Sequence, residues 1–236
     1  MVKLRVVASG LSMVAALAAP PAQAEWKGQG ELGLVLARGN TNTETVNAKA
    51  DLTTEVDPWK HTVGFSALRS TNEDELTGDR YELHGQSDYK LSAQSYAFGS
   101  LRYENDHFSS FTYQAVAAAG YGYKFFDTEV TKLSADVGAG YRKSKVRETG
   151  ETLNNVIFRG GLNYAHKLTS NTDIYDKALV ESGKDNTFAQ NELGIKVAMN
   201  ASLALSLAHQ LRYNSDVIAP KKHIDQLLTA NLVFSF

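Results

Sequence analysis

The sequence predicts an all-β fold, a single-domain antiparallel transmembrane β-barrel of about twelve strands, within a range of about ten to fourteen. Three observations support this prediction. Residues 228–236 place an apolar side chain at every second position and end on an aromatic residue, Phe236. The N-terminus carries an export signal, and segments of alternating polarity recur between the two ends. Strands that separate lipid from a wet interior have this pattern.

Residues 1–24 have the features of a secretory signal peptide. Lys3 and Arg5 form a short basic region, a mostly apolar run follows, and residues 22–24 (Ala-Gln-Ala) form a small-x-small cleavage site. The apolar run is shorter than the ~20 residues that a membrane helix requires, which disfavours the alternative of an uncleaved anchor. We therefore expect a mature barrel domain of residues 25–236, located in the bacterial outer membrane.

The composition excludes several function classes. The chain has no cysteine, which rules out disulfides and thiolate metal sites in an exported protein. Without Lys3 and Arg5, 24 basic residues become 22 against 26 acidic ones, a net charge of −4. The basic residues are not concentrated on one face, which argues against nucleic-acid binding. No linker divides the mature chain, so we expect one domain.

Twelve alternating segments can be placed in order, and turn residues separate the first ones. Residues 39–42 (Gly-Asn-Thr-Asn) turn the chain after the first strand, because glycine and asparagine tolerate positive φ. Asp57-Pro58 ends the second strand, since proline cannot donate to a ladder. The charged residues 69–79 predict a loop before the fourth strand. The segments are centred on residues 27–37, 43–55, 59–67, 80–91, 98–101, 112–124, 133–141, 156–164, 172–181, 192–199, 203–213 and 228–236.

Tyrosine spacing favours a membrane over a soluble sandwich, in which an alternating strand also has one wet face. Tyr81 and Tyr89 lie on the apolar face of the fourth strand. Their separation corresponds to roughly 20 Å of height at ~3.3 Å per residue and a tilt near 40°, close to the ~25 Å apolar band of these barrels. Tyr113 and Tyr123 on the sixth strand give about 25 Å by the same estimate.

Two strands fit the alternation poorly. In the fifth, the apolar parity shifts between Phe98 and Leu101, which predicts a β-bulge at Gly99-Ser100. The ninth strand mixes Asp176 with apolar residues, so its register is poorly defined. Short turns follow the even-numbered strands and several longer, charged loops follow the odd-numbered ones, which places both termini in the periplasm.

Three stretches of the chain resemble the family of salt-induced outer membrane proteins, which is classed as a domain of unknown function. The first begins at Gly30-Glu31-Leu32-Gly33 and runs to Thr43. The second covers residues 96–113, and the third is Gly-Tyr-Gly-Tyr at residues 120–123. Gln114 departs from the arginine expected after the tyrosine in that family, which disfavours a lumen cation at this position. The resemblance covers the mature chain and implies an outer-membrane location and a link to salt or osmotic stress, but no established activity.

The nearest approach to a catalytic constellation is His107 with Asp106, Ser109 and Ser110, in a predicted outer loop. Adjacent residues on an extended chain point in opposite directions, so closeness in sequence does not establish a catalytic contact. Capping of the loop by the aspartate and the two serines is the alternative. We predict no catalytic residue, cofactor or metal ligand, and retain an outer-membrane lipid-modifying hydrolase as the alternative function.

The predicted lumen carries charges of both signs. Because buried charges need partners, one interpretation is that mutual salt bridges fill the lumen of a structural barrel. The other is a narrow channel for ions or small solutes, since rings of charge can select permeants. The predicted lumen-facing residues are Glu31, Lys49, Asp51, Glu82, His84, Asp88, Lys90, Asp136, Arg159, Glu192, Lys196, Arg212 and Asp225.

Two predicted outer loops differ in charge, the second being acidic and the fourth basic. The basic cluster comprises Arg142, Lys143, Lys145 and Arg147. It is suited to contact anionic membrane lipid, including lipopolysaccharide, through charge-assisted bonds to phosphate. Solvated loops without a partner are the alternative. The closing strand ending at Phe236 is expected to engage the barrel-assembly machinery.

Overall fold

The computed structural model describes residues 25–37, 43–217 and 222–236, which form twelve β-strands. The predicted signal peptide and residues 39–42 of the first predicted turn lie outside these ranges. The strands are β1 Trp26–Ala37, β2 Thr43–Val56, β3 Trp59–Asn72, β4 Glu75–Lys90, β5 Ser95–Asp106, β6 Phe111–Asp127, β7 Thr131–Val146, β8 Thr152–Lys167, β9 Thr172–Gly183, β10 Thr187–Ala198, β11 Leu203–Asn214 and β12 Ile224–Ser235.

The strands form one closed barrel. Each strand pairs antiparallel with its neighbours in sequence, and β1 pairs with β12 to complete the ring. The predicted all-β antiparallel barrel of about twelve strands is confirmed. Closure pairs the backbone donors and acceptors of neighbouring strands around most of the ring, which is the requirement for a β-structure in lipid.

The surface of the barrel is apolar, the reverse of a water-soluble protein. Phe158, Val156 and Val137 are among its most exposed side chains, at 75%, 67% and 66%. Aromatic rings mark both margins of this surface, with Trp59 packed edge-on against Tyr89 at one end. Such an apolar band between aromatic girdles is the surface that a transmembrane barrel presents to lipid. Among the described residues, none forms a helix long and apolar enough to cross a membrane.

The two ends of the barrel can be defined by their connections. The terminal end carries the start of β1, the end of β12 and the turns that follow even-numbered strands, including Asp57-Pro58 with its cis peptide bond. The loop end carries the connections that follow odd-numbered strands. One of these is shorter than predicted. β3 and β4 continue through most of residues 69–79, and only Glu73 and Asp74 turn the chain, with φ of 50° and 65°.

That predicted loop is wrong because its polar residues still pair as strands. Both faces of a strand that projects beyond the apolar band can be polar, so charge alone does not indicate a loop there. Thr45 on β2 and Ser70 on β3 share a hydrogen bond of 2.8 Å between their hydroxyls. The register of β3 with β4 shifts only between Ser70 and Thr71.

The predicted bulge in β5 is also wrong. The register of β5 with both neighbours is continuous through Gly99 and Ser100. Tyr96 and Phe98 instead point into the barrel, where they are 8% and 4% exposed. The facing wall has room for these rings because it is built from glycine. A Cβ at Gly138 would lie 3.0 Å from the Phe98 ring.

Candidate functional site

A layer of charged side chains crosses the lumen toward the loop end. Arg102 on β5 donates from Nε to Glu181 Oε1 on β9 at 3.2 Å, and from Nη2 to Glu181 Oε2 at 2.5 Å. Its Nη1 donates to Glu104 Oε2 at 2.9 Å and lies 3.4 Å from Glu82 Oε2. Three carboxylates therefore surround one guanidinium, whose side chain is only 7% exposed.

The same layer joins opposite walls. Arg212 on β11 donates from Nη2 to Glu104 Oε2 on β5 at 2.6 Å. These strands are six positions apart in a ring of twelve, so the ion pair spans the full lumen. The Phe188 ring lies beneath both guanidinium groups, 4.5 Å from Arg102 Cζ and 4.9 Å from Arg212 Cζ. We call Arg102, Glu104, Glu181, Phe188 and Arg212 the arginine layer.

Arg142 on β7 extends this layer along the wall. It is 1% exposed and contacts the backbone carbonyls of Glu181, at 3.5 Å from Nη1, and of Asn186. Backbone carbonyls satisfy its donors without neutralising its charge. The layer is therefore rich in guanidinium groups held by both carboxylates and carbonyls.

Further polar bridges cross the half of the lumen nearer the terminal end. Lys49 on β2 pairs with Glu192 on β10. His84 on β4 lies between two carboxylates, with Nε2 3.3 Å from Asp51 Oδ1 and Nδ1 3.6 Å from Glu82 Oε1. Lys49 and Glu192 join strands four positions apart in the ring, and His84 and Asp51 join strands two positions apart, whereas Glu82 is on the same strand as His84.

A third bridge runs between β8 and β4. Arg159 pairs with Asp136 on the neighbouring strand β7 and donates from Nη2 to Gln86 Oε1 on β4 at 3.1 Å. Gln86 in turn donates to Asp88 Oδ1 at 2.9 Å. The Arg159 guanidinium also stacks on the Phe98 ring, with Cζ 4.7 Å from its centroid. The inward aromatic ring of β5 thus supports a charged bridge.

The structure brings most of the predicted lumen charges together, apart from those near the two mouths. Glu31 accepts from Gln29 at 2.9 Å, and Lys196 lies 3.5 Å from Gln29 Oε1. Lys90 lies outside the lumen, at the terminal mouth, because β4 ends there and its ammonium reaches the exposed Asp57 at 2.9 Å. Asp225 is exposed near the loop end.

The predicted basic loop cluster does not form one surface. Arg142 lies inside the barrel, and alternation along β7 places Lys143 and Lys145 on the outer face, where they are exposed. Only Arg147 follows the strand, and its guanidinium donates to the carbonyls of Asp106 at 2.8 Å and Ser109 at 3.0 Å. The prediction failed because β7 continues to Val146, five residues beyond its predicted end.

The His107 segment has the geometry of a capped turn. Asp106 Oδ1 accepts from the Phe108 amide at 2.9 Å, and Ser109 Oγ accepts from the Phe111 amide at 3.2 Å. His107 is exposed and its ring packs edge-on against Phe108. Side-chain acceptors that hold backbone amides have a structural role in the turn. Within the described ranges, no group of three or more metal-ligating side chains could hold a metal ion.

Sequence reasoning missed several charged residues of the lumen, among them Arg102, Glu104, Arg142 and Glu181. The alternation of residues along β5 could have identified two of them. Arg102 and Glu104 follow Phe98 at even positions of β5, and an unbroken alternation would have placed all three on one face. The assumed bulge reversed that assignment.

Two adjoining cavities lie on one side of the arginine layer, against β2–β4 and β11–β12. The larger, about 210 Å³, opens near the loop end, and we call it the vestibule. A smaller one of about 30 Å³ reaches down to Lys49 and Glu192. A single water needs only about 10–15 Å³ of such volume, so the vestibule can admit a solute group. Both cavities are lined by Leu68, Arg80, Gln210 and Leu227.

The sequence and the fold both match known proteins. Residues 30–236 match the family described as "Protein of unknown function, DUF481". The chain is 27% identical over 223 residues to the uncharacterized protein YdiY of Escherichia coli (strain K12), covering 91% of this chain and 86% of that protein. The relative is similar along nearly its whole length.

Solved outer-membrane barrels share the overall fold. The outer membrane channel from Pseudomonas putida F1 is similar with a TM-score of 0.52 at 11% identity, covering 92% of this chain and 96% of that one. The NanC porin gives 0.51 at 9%, covering 89% and 98%. The translocator domain of autotransporter NalP from Neisseria meningitidis gives 0.50 at 11%, covering 89% and 87%. At these identities the likeness establishes the fold alone.

Proposed function

Because the chain belongs to the DUF481 family, whose description assigns no activity, we propose its function from the lumen itself: a narrow outer-membrane channel for ions or small polar solutes, closed in this conformation by the arginine layer. Membership confirms the resemblance to a family of unknown function. A link to salt or osmotic stress stays a prediction.

One observation carries the proposal: the lumen is crossed by charged side chains and not filled by an apolar core. Arg102, Arg212 and their carboxylates meet at the centre of the barrel. Replacing buried ion pairs by apolar side chains of similar volume is often neutral or stabilising. A barrel that needed only a solid interior could therefore be filled with apolar side chains at no cost. A charged lumen is useful where polar solutes pass.

The nature of the barrier also supports a channel. Within the described ranges the lumen is crossed by side-chain bridges and contains no helix or inserted domain. A barrier of side chains can open by the rearrangement of single side chains, whereas a folded plug must move as a unit. Breaking one ion pair of the layer would open a path between the vestibule and the opposite mouth.

The location is part of the proposal. An apolar surface between aromatic girdles suits a bilayer, and three solved barrels of similar fold come from outer-membrane proteins or their translocator domains. We place the termini in the periplasm and the loop end outside, as even-numbered turns are short in barrels of this kind. Membrane lipid and the barrel-assembly machinery are the partners that this placement implies.

Single-channel recording tests the function. Residues 25–236, refolded into planar bilayers, should give small discrete conductance steps. Arg212→Ala removes the pair that spans β11 and β5, and should raise the conductance or the open probability several-fold. Lys143→Ala is the matched control, because it removes a positive charge from the outer face of β7. Silent bilayers with both the parent and Arg212→Ala would reject the channel.

A structural barrel with a sealed lumen is the second candidate. It is favoured by the number of strands that the bridges connect, since β2, β4, β5, β8, β9, β10 and β11 are all tied across the interior. In that case Arg212→Ala would lower the stability of the barrel and leave it impermeable.

A further inference from the structure

The seam that closes the barrel is incomplete. β1 and β12 pair over five residue pairs, from Gln29↔Ser235 to Gly33↔Asn231, whereas every other ladder has at least ten. Backbone hydrogen bonds between Gly28 and Phe236, of 2.7 and 3.0 Å, continue the ladder toward the terminal end. Toward the loop end, residues 34–37 of β1 and 227–230 of β12, which the same register would place opposite each other, do not pair.

The unpaired part of the seam lies at the height of the lipid leaflet nearer the loop end. The four residue pairs that the register would place here, residues 34–37 with 227–230, correspond to about 10 Å of height at ~3.3 Å per residue and a tilt near 40°. The outward side chains there are apolar, with Leu228 60% and Leu34 57% exposed. In hydrocarbon, unpaired backbone groups cost several kcal/mol each, so an open edge at this depth is costly unless something occupies it.

The ladder ends at a cluster of amides. Asn47 of β2 donates to Asn231 Oδ1 of β12 at 3.0 Å, and these side chains pass over Gly33 of β1. A Cβ at Gly33 would collide with both side-chain oxygens, so only glycine leaves room for the contact. We call Gly33, Asn47 and Asn231 the asparagine clasp. It closes the terminal half of the seam and marks where the opening begins.

The vestibule reaches this opening. Its lining includes Leu227 of β12 and also Gln226, whose side chain belongs to the outward set of that strand and lies 3.2 Å from outward His209. The ladder of β11 with β12 is continuous, so among the described residues the break in the wall beside Leu227 is on its β1 side, and Thr45 of β2, beyond β1, also lines the cavity. The exposure of Val35 on β1 supports an opening at this position. Alternation along β1 points its side chain inward, yet the side chain is 36% exposed.

The vestibule wall has apolar and charged parts. Leu68, Leu227 and Phe108 provide apolar surface. The charged side chains of the lining are Arg80, Arg212, Asp79, Asp106 and Asp225. Arg80 Nη2 donates to the neutral amide oxygen of Gln210 at 3.0 Å, whereas Arg212 is held by the carboxylate of Glu104 at 2.6 Å. Of the two arginines in the lining, Arg80 is therefore the better placed to bind an anionic group, and it lies beside the apolar side chains of the wall.

We propose that the unpaired half of the β1–β12 seam is a lateral portal, through which a single-chain anionic amphiphile passes between the lipid leaflet and the vestibule. Its acidic head binds Arg80, its chain lies along Leu68 and Leu227, and the tail leaves between β1 and β12 into lipid. The proposal does not depend on whether the lumen conducts ions, because the vestibule lies on the loop-end side of Lys49 and Glu192.

A reversible lock on the seam tests the portal. The chain has no cysteine, so an introduced pair is the only thiol pair present. Continuing the register by two residues pairs Val35 with Thr229. The double variant Val35→Cys/Thr229→Cys, in nanodiscs, is titrated with spin-labelled dodecanoic acid when oxidised and again after reduction. Oxidation should weaken binding at least tenfold, and reduction should restore it.

The control pair Gln29→Cys/Ser235→Cys lies in the already paired part of the seam and should bind equally in both states.

A second arm tests the head-group site without a cross-link. Arg80→Gln should weaken dodecanoate binding about tenfold, while Arg69→Gln, on the exposed outer face of β3, should leave it unchanged. Dodecanol should compete poorly with dodecanoate. Equal binding by locked and reduced protein, or equal competition by dodecanol, overturns the proposal. Disulfide-linked dimers of the single variant Val35→Cys would instead assign the edge to a second copy of the chain.

Discussion

Removal of Arg102 is the sharpest test of the arginine layer as a stabilising network. Arg102→Gln leaves one amide group in place of a guanidinium that contacts three carboxylates. Glu104 keeps Arg212 at 2.6 Å and Glu82 keeps His84 at 3.6 Å, so Glu181 loses most. The Glu181 side chain is 2% exposed and cannot recover solvation. Breaking a buried pair on one side costs about 3–5 kcal/mol, and with one carboxylate stranded we expect about 3 kcal/mol.

The assay is urea unfolding of the refolded barrel in lipid vesicles, followed by the fluorescence of Trp26 and Trp59. For a urea slope of about 1–3 kcal/mol/M, a loss of about 3 kcal/mol lowers the midpoint by about 1–3 M. The double variant Arg102→Gln/Glu181→Gln should regain about 2 kcal/mol, because both partners are then neutral. The control Lys90→Gln breaks an exposed pair with Asp57 and should leave the midpoint nearly unchanged. A midpoint for Arg102→Gln within the range of this control, or a double variant weaker than Arg102→Gln, would refute the reasoning.

Three further changes have definite expected outcomes. Gly33→Ala should destabilise the barrel by at least ~2 kcal/mol in the same titration, because its Cβ displaces the asparagine clasp. The control Gly30→Ala should be nearly neutral, because no atom lies within 4 Å of the new Cβ. Deletion of Phe236 removes its hydrogen bonds to Gly28 and should reduce the heat-modifiable folded band in outer-membrane fractions; an undiminished band would reject a role for this residue in assembly. Asp176 faces outward and accepts a hydrogen bond from outward Asn191 at 2.5 Å. The double variant Asp176→Leu/Asn191→Leu should therefore stabilise the barrel by about 1 kcal/mol in vesicles. A lower urea midpoint would contradict the placement of Asp176 toward lipid.

The faces of most strands could be predicted from the sequence because alternation is a local property. In β4, for example, even-numbered Glu82 and His84 point inward and odd-numbered Tyr81 points outward, as the pattern indicates. Alternation failed where an inward side chain was aromatic. Tyr96 and Phe98 look lipid-facing in isolation, and only the glycines on the neighbouring strand β6 and on β7 beyond it explain how they fit inside.

The lengths of the strands and the ion-pair partners across the lumen could not be predicted from the sequence, for a different reason. Arg142 has the same local pattern whether β7 stops before it or continues past it, and the difference depends on how far β8 extends beside it. The pairing of Arg212 with Glu104 depends on which strands stand opposite each other after closure. That arrangement is set by the number and stagger of all the strands, so it cannot be read from either residue alone.

The bridges of the lumen bear on how the seam could open. Arg212 to Glu104, Arg102 to Glu181 and Lys49 to Glu192 join walls on either side of the interior without passing through the β1–β12 ladder. The asparagine clasp joins β2 directly to β12 over β1, at the level where the ladder stops. The barrel can therefore keep its circular form through interior contacts while the edges of β1 and β12 separate above the clasp. Separation of these edges leaves the described cross-lumen contacts intact, so the cost of the unpaired edges is the exposure of their backbone groups to lipid.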